Sequence, residues 1–175
     1  MAVSAAKILQ KYESTHGTWR ARLDPLEEER FTRAPPAGSG SWGIGQICDH
    51  IASVAEMLLI NADQCAQGNG QDKGFQLQPA LICLVGSLPP VRINVPDLPP
   101  ELDHLSNPQK LTKEQALARL DGALERMRSL ADAVDRATTR CRSKHPVGGW
   151  LHARQWYHMN EMHYRHHLRQ LDRLN

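Results

Sequence analysis

The amino-acid sequence predicts an all-α protein, a four-helix bundle with a long proline-rich connection between the second and third long helices. Four segments repeat apolar residues at alternating steps of three and four, which gives a helix one buried face. No segment shows the alternation expected of a strand. Seven of the eleven prolines fall within residues 71–111, between the two helical halves. With 175 residues, the chain is expected to form a single domain over residues 1–175.

Composition and charge exclude several classes of protein. Apolar residues make up 41% of the chain and charged residues 23%, with a formal net charge of +2, as in ordinary globular domains. Lysines and arginines form no basic stripe, so no nucleic-acid partner is expected. No apolar run suits a signal peptide or a membrane span. Because the four cysteines lack C-x-x-C spacing, we expect free thiols in a cytoplasmic protein that binds no membrane.

The first long helix is predicted from a stripe of residues spaced three or four apart. These residues are Ile8, Tyr12, Thr15, Trp19 and Leu23. A break in the helix is expected at Asp24. Asp24 can cap the start of a new helix, and Pro25 suits the first position of that helix. Glu27 completes a pattern like a capping box. A short additional helical segment is therefore predicted after the break.

The second long helix is predicted to start between Ser39 and Gly43, after a loop rich in Pro, Gly and Ser at 34–43. It continues to about Gln67, where Gly68-Asn69-Gly70 ends it. Its apolar stripe consists of Ile44, Ile47, Ile51, Val54 and Leu58. Alternating steps of three and four are typical of helices that pack in a bundle.

The connection at 71–111 contains an apolar patch at 79–88 that favours a short helix. Ordered connections of this length more often cover a functional site than serve as idle linkers. Thr112 and Gln115 form a predicted capping box, which opens a third long helix at 113–137. Its inward stripe consists of Ala116, Leu120, Leu124, Met127, Leu130 and Val134. The loop at 141–150 then leads to a fourth long helix at 151–174.

The fourth long helix carries an unusual stripe of polar residues. At 100° per residue, one face displays Trp156, Asn160, His163, His167, Gln170 and Leu174. Large apolar residues at both ends indicate that this face points into the bundle, where each unsatisfied polar group costs about 1–3 kcal/mol. A divalent cation would satisfy two imidazoles at i and i+4. The competing interpretation is a solvated histidine cluster, favoured by the helix dipole at a C-terminal end.

The best third metal ligand in the sequence is His50. It lies three residues after Ile47 and four before Val54, on the inward stripe of the second long helix. A lone histidine at such a position is more often an ordinary core residue, so its assignment depends on the histidine pair. Within that pair, His163 and His167 fit one face best, although His163 with His166 is also geometrically possible.

Other polar residues of the sequence are candidates for supporting roles or for ligation. His166, Asn160 and Gln170 could orient ligands or substrate, or could be ordinary hydrogen-bonded core residues. Cys48 lies two positions from His50 and points elsewhere. The remaining histidines are poorer ligand candidates because they lie in loops or off the stripe, or are too far along the helix; they are His16, His104, His145, His152 and His158.

Three neutral imidazoles leave a divalent ion its full charge and open positions, which is typical of catalytic metal sites. Such a site could activate water for hydrolysis, or a small thiol for transfer to a small-molecule electrophile. The alternative is a non-catalytic protein with a structural or metal-responsive ion. Imidazole suits Zn, Ni, Fe and Cu alike, so the sequence does not choose the metal.

Residues 35–59 and 148–174 resemble the DinB/YfiT-like superfamily of small four-helix metal-binding proteins. The first segment has a tryptophan that opens a helix and a histidine two turns later; the second has two histidines four apart, followed by a glutamine. The resemblance implies an up-down-down-up bundle, frequent homodimers, and a three-histidine divalent metal centre at His50, His163 and His167. Related proteins include transferases and isomerases that use low-molecular-weight thiols. No family motif matches 71–111, where substrate specificity is expected to reside.

Overall fold

The computed structural model describes residues 3–35, 41–88, 100–146 and 148–172. The described chain is mostly helical, with one small sheet. Its α-helices are α1 (Ala5–Leu23), α2 (Glu28–Thr32), α3 (Ile44–Ala66), α4 (Leu77–Val85), α5 (Lys113–Arg136) and α6 (Ala153–Leu171). A 3₁₀ helix covers Pro100–Leu105, and the strands are β1 (Gln71–Asp72), β2 (Cys141–His145) and β3 (Gly149–His152).

All four predicted long helices are present, as α1, α3, α5 and α6. The capping box at the start of α5 is confirmed: the Gln115 amide donates to Thr112 Oγ1 at 3.2 Å, and the Thr112 amide donates to Gln115 Oε1 at 3.0 Å. The short helix α2 starts at Glu28 with Glu27 as its N-cap, so Asp24 does not cap it; the Asp24 amide instead donates to the Arg20 carbonyl and caps the end of α1. The predicted end of the fourth helix at Leu174 lies outside the described residues.

The expectation of no strands was wrong, since β1, β2 and β3 form an antiparallel sheet in that order. In β2 and β3, Arg142 pairs with His152 and His145 pairs with Gly149. The strands have two, five and four residues, too short for a clear period-two pattern. Because β3 occupies Gly149–His152, α6 begins at Ala153 rather than at Leu151.

The long helices pack against one another around one apolar core. Helices α5 and α6 each contact both α1 and α3. The largest fully buried side chains include Trp19, Trp156, Tyr12, Tyr157 and Tyr164. None of the helices in the described part of the chain has the length and apolar character needed to cross a membrane.

A polar link fixes the rotation of α6 against α1. The Tyr164 ring lies beside the rings of Tyr12 and Trp19, with centroids 4.6 and 5.6 Å away. Its hydroxyl lies 3.0 Å from Nδ1 of His16, whose Nε2 lies 2.9 Å from Asp121 of α5. Since neighbouring residues of a helix differ by about 100° in direction, anchoring Tyr164 against α1 turns the adjacent His163 towards α3.

The connection between α3 and α5 lies along α3 and α6. Helix α4 packs against α6 and β3, and the 3₁₀ helix packs against α3. Backbone groups anchor it: the Gln109 amide donates to Asp49 Oδ2 at 2.7 Å, and the Gly86 carbonyl accepts from Arg165 Nη2 at 2.6 Å. The short helix predicted at 79–88 is present, displaced by two to three residues to 77–85. Residues 89–99 lie outside the described part of the chain.

Candidate metal centre

Three imidazole rings from two helices converge at one point. His50 comes from α3, and His163 and His167 lie one turn apart on α6. The Nε2 atom of His163 lies 3.1 Å from Nε2 of His50 and 3.1 Å from Nε2 of His167. One ligand atom from each of the three residues lies within 4.8 Å of the others. The structure thus brings together the three side chains that the sequence singled out as metal ligands.

The connection orients the ring of His50. The Nδ1 atom of His50 lies 2.6 Å from the Leu105 carbonyl oxygen, at the end of the 3₁₀ helix. Because a carbonyl only accepts, Nδ1 must carry the proton, and the neutral ring presents a bare Nε2 to the other histidines. The indole of Trp42 lies against the same ring, with centroids 4.7 Å apart. No sequence pattern predicts that a backbone carbonyl orients His50.

Gln170 orients the ring of His167 in the same way. Its Oε1 atom lies 2.8 Å from Nδ1 of His167, one turn further along α6. Accepting there places the proton on Nδ1 and leaves Nε2 of His167 bare. The ring is held tightly, since His167 is only 7% exposed. Of the three residues considered as supports, Gln170 has this contact with a ligand candidate.

Without a metal ion, no placement of the imidazole protons satisfies every ring nitrogen of the three histidines. His163 Nε2 faces two bare nitrogens, and one proton on it can be donated to only one of them at a time. If the proton is instead on Nδ1, three lone pairs converge and a buried N–H stays unpaired, because His163 Nδ1 has no hydrogen-bond partner in the described residues. A cation at the convergence point would satisfy all three Nε2 atoms and remove the repulsion between their lone pairs, with the His163 proton on Nδ1.

The surroundings keep the three imidazoles neutral. Burial, and then the neighbouring histidines, holds the pKa of His163 well below its ordinary value. Burial, followed by repulsion from His50, lowers the pKa of His167 to about 3. Burial also lowers the pKa of His50, opposed by its hydrogen bond with the Leu105 carbonyl. Metal binding requires neutral histidines, so these shifts favour a cation over protons.

The spacing of the nitrogens suits a bound metal ion. Two imidazole nitrogens that bind one zinc ion at about 2.1 Å lie roughly 3.0–3.4 Å apart for ordinary coordination angles. Two of the three separations, 3.1 Å on either side of His163 Nε2, fall in this range, and all three ligand atoms lie within 4.8 Å of one another. The donor set is entirely imidazole, which suits the later divalent first-row metals. The residues present therefore fit a divalent ion.

His166 and Asn160, the other two support candidates, take different places. The ring of His166 packs edge-on against His167, with centroids 5.1 Å apart, and does not belong to the converging group. Asn160 is 1% exposed and faces the hydroxyl of Tyr12 on α1. It therefore belongs to the packing between α6 and α1.

The remaining histidines lie outside the cluster, although one of them approaches it. His145, set aside in the sequence as a loop residue, ends β2 and packs on the Trp156 ring, with centroids 5.0 Å apart. It is close enough to lower the pKa of His163 electrostatically. His152 precedes α6, His104 lies exposed in the 3₁₀ helix, and His158 is buried beside Glu161. The approach of His145 depends on the turn between β2 and β3, which sequence periodicity does not reveal.

Comparison with known proteins supports a family assignment. No curated protein and no solved structure matches the chain significantly. A family model described as the DinB superfamily matches residues 11–171, which include α1 from Lys11 onward, the histidine cluster and all of α6. Since this match covers nearly the whole sequence, the chain belongs to the DinB superfamily.

Proposed function

We propose that this protein is a divalent-metal-dependent enzyme whose metal ligands are His50, His163 and His167. The observation that carries the proposal is the convergence of three Nε2 atoms from α3 and α6. The Leu105 carbonyl and Gln170 hold two of these rings in the tautomer that metal binding requires. Membership of the DinB superfamily is compatible with this assignment.

The chemistry proposed is transfer of a small thiol to an electrophile, or hydrolysis. A divalent ion bound only by neutral imidazoles acts as a Lewis acid and lowers the pKa of a water or a thiol at its open positions. The protein's own residues hold the ligand rings and exclude solvent from one side, since His167 is 7% exposed. The proposed partners are therefore a small thiol and a small-molecule electrophile.

A second candidate function is a non-catalytic metal site. The cluster joins α3 to α6, and the Leu105 contact adds the connection, so a bound ion would pin three parts of the chain together. A structural or metal-responsive protein of the same family would use such a site for stability or for binding a partner.

Metal analysis of tag-free protein tests the ligand assignment. We expect about one equivalent of Zn, Ni, Fe or Cu in the wild type and loss of metal in His50→Ala, His163→Ala and His167→Ala. His104→Ala is the matched control, because His104 is exposed and lies outside the cluster. Equal metal content in the three ligand variants and the wild type would refute the assignment.

Activity assays on the metal-loaded protein separate the two functions. We expect metal-dependent transfer of a low-molecular-weight thiol to an electrophile, or hydrolysis of simple esters or amides. If the loaded protein shows neither activity but unfolds at a much higher temperature than the metal-free protein, the structural function is favoured.

We also propose that α1, α3, α5 and α6 form an up-down-down-up four-helix bundle. Ala5 of α1 contacts Asp135 while His16 contacts Asp121, which supports an antiparallel arrangement of α1 and α5. The contact of His50 with His163, and that of Cys65 with Leu151 in the strand that leads into α6, support the same for α3 and α6. We further propose a single domain, a homodimer and a cytoplasmic location. Sedimentation velocity would test the homodimer.

A further inference from the structure

Two buried cysteines lie far from the histidine cluster, where the end of α3 packs on β2. Cys65 is fully buried in the last turn of α3, and Cys141, at the start of β2, is 7% exposed. Fifteen residues of α3 separate Cys65 from His50, which corresponds to about 22 Å along the helix. No bond joins these cysteines in the structure, where both are free thiols.

The register between α3 and β2 brings the two thiols together. Ser143 Oγ donates to Asn61 Oδ1 at 3.0 Å and accepts from Cys65 Sγ at 3.4 Å. Cys141 precedes Ser143 by two residues, so both side chains project from the same face of the strand. One helical turn from Asn61 to Cys65 covers nearly the same length as the two strand residues from Ser143 to Cys141.

The two thiols also influence each other. Burial is the main cause that raises the pKa of the Cys65 thiol; the hydrogen bond with Ser143 lowers it, and the nearby Cys141 thiol raises it further. The backbone of Gly70, just before β1, lies against Cys141, since a Cβ atom there would lie 2.8 Å from Cys141 Sγ. The register therefore places the two thiols side by side at the junction of two distant segments of the chain.

We propose that Cys65 and Cys141 are a redox-sensitive pair that forms a disulfide linking α3 to β2. With hydrogen peroxide as oxidant, the thiolate of the more exposed Cys141 attacks one peroxide oxygen, forming a sulfenic acid and releasing hydroxide. The thiolate of Cys65 then attacks the sulfenic sulfur, forming the S–S bond and expelling a second hydroxide. The two thiol protons convert both hydroxides to water, so the peroxide is reduced and two thiols are oxidised.

This link would close a long loop in the chain. Residues 65 and 141 flank β1, the whole connection and α5. A cross-link across a loop of this length restricts the unfolded chain and so stabilises the folded state. The bond would fasten the small sheet to α3 without involving the residues that converge at His163. Oxidation should therefore raise thermal stability and leave metal content unchanged.

The test treats the full-length protein with hydrogen peroxide, blocks free thiols with an alkylating reagent and maps the peptides without reduction. We expect a peptide pair joined through Cys65 and Cys141, two free thiols remaining of the four, and a mass lower by about 2 Da. The melting temperature should rise by about 5 °C or more and return after treatment with dithiothreitol. Because the reaction needs thiolates, cross-linking should be faster at pH 9 than at pH 7.

Cys141→Ser should abolish the cross-link, whereas Cys48→Ser should retain it, since Cys48 is buried elsewhere on α3. The peptide map of the wild type decides the question even if the Cys141 variant fails to fold. Oxidation of Cys141 to sulfinic acid without a cross-link, or a disulfide that uses Cys83 instead, would overturn the proposal. The metal content of Cys48→Ser and of oxidised wild type reports separately on the histidine cluster.

Discussion

Replacing Gln170 by leucine tests whether the orientation of His167 controls metal affinity. Leucine has a similar volume but cannot accept the proton of His167 Nδ1, which lies 2.8 Å from Gln170 Oε1. His167 is 7% exposed, so water replaces the lost acceptor only poorly. The perturbation therefore changes the hydrogen bond behind the ligand and leaves all three ligands in place.

When Gln170 is replaced by leucine, the proton of His167 can stay on Nδ1 or move to Nε2. Both outcomes weaken metal binding. If the proton stays on Nδ1, a buried N–H loses its partner, at a cost of about 1–3 kcal/mol. If the proton moves to Nε2, the nitrogen that faces His50 and His163 can no longer bind the ion. A loss of 10- to 100-fold in affinity corresponds to about 1.4–2.7 kcal/mol, which agrees with the first cost.

Competition with a chromophoric zinc chelator measures the dissociation constants of wild type and variant under identical conditions. We expect Gln170→Leu to bind zinc about 10- to 100-fold more weakly, and Gln170→Glu, which keeps an acceptor, to stay close to wild type. Gln64→Leu is the matched control, because Gln64 is an exposed glutamine on α3. If Gln170→Leu keeps its zinc affinity within twofold while His167→Ala loses it, the orienting function of Gln170 is refuted.

Three further predictions concern stability. In the metal-free protein, the pKa of His167 is about 3 in the folded state and about 6.5 in the unfolded state. Between these two values, His167 binds a proton only when the chain is unfolded. The free energy of unfolding should therefore fall as pH decreases from 6.5, by about 2 kcal/mol from this residue at pH 5. Tyr164→Phe removes the hydroxyl that lies 3.0 Å from His16 and should cost about 1–2 kcal/mol. Gly70→Ala should cost about 1–3 kcal/mol, because its Cβ would lie 2.7 Å from the Arg142 carbonyl oxygen. Urea unfolding followed by circular dichroism measures all three.

Each stability prediction has a result that contradicts it. Equal free energies of unfolding at pH 7 and pH 5 would show that folding does not lower the pKa of His167. Tyr164→Phe with wild-type stability would mean that His16 and Asp121 satisfy each other without the hydroxyl. Gly74→Ala is the control for Gly70→Ala, because a Cβ at Gly74 has no heavy atom within 4 Å in the described residues.

Features of the fold that depend on nearby residues could be predicted from the sequence. The capping box of Thr112 with Gln115 and the start of α5 involve partners three residues apart, and both are confirmed. The strands could not be predicted, because β2 pairs with β1 about seventy residues earlier in the chain and neither has a recognisable pattern. Nor does the sequence predict the position of His145, because its proximity to His163 comes from a turn held by the sheet.

The sequence by itself determined which side chains share a face of a helix, because helical periodicity is local and each residue advances by the same angle. That favoured His163 with His167 on α6, left His166 as a geometric alternative, and placed His50 on the inward face of α3. Only the tertiary structure decided that their Nε2 atoms meet, since His50 and His163 are 113 residues apart. It also decided that the Leu105 carbonyl orients His50, and that Cys65 of α3 packs on Ser143 of β2. These contacts follow from how helices, connection and sheet pack together, and packing depends on side chains far apart along the chain.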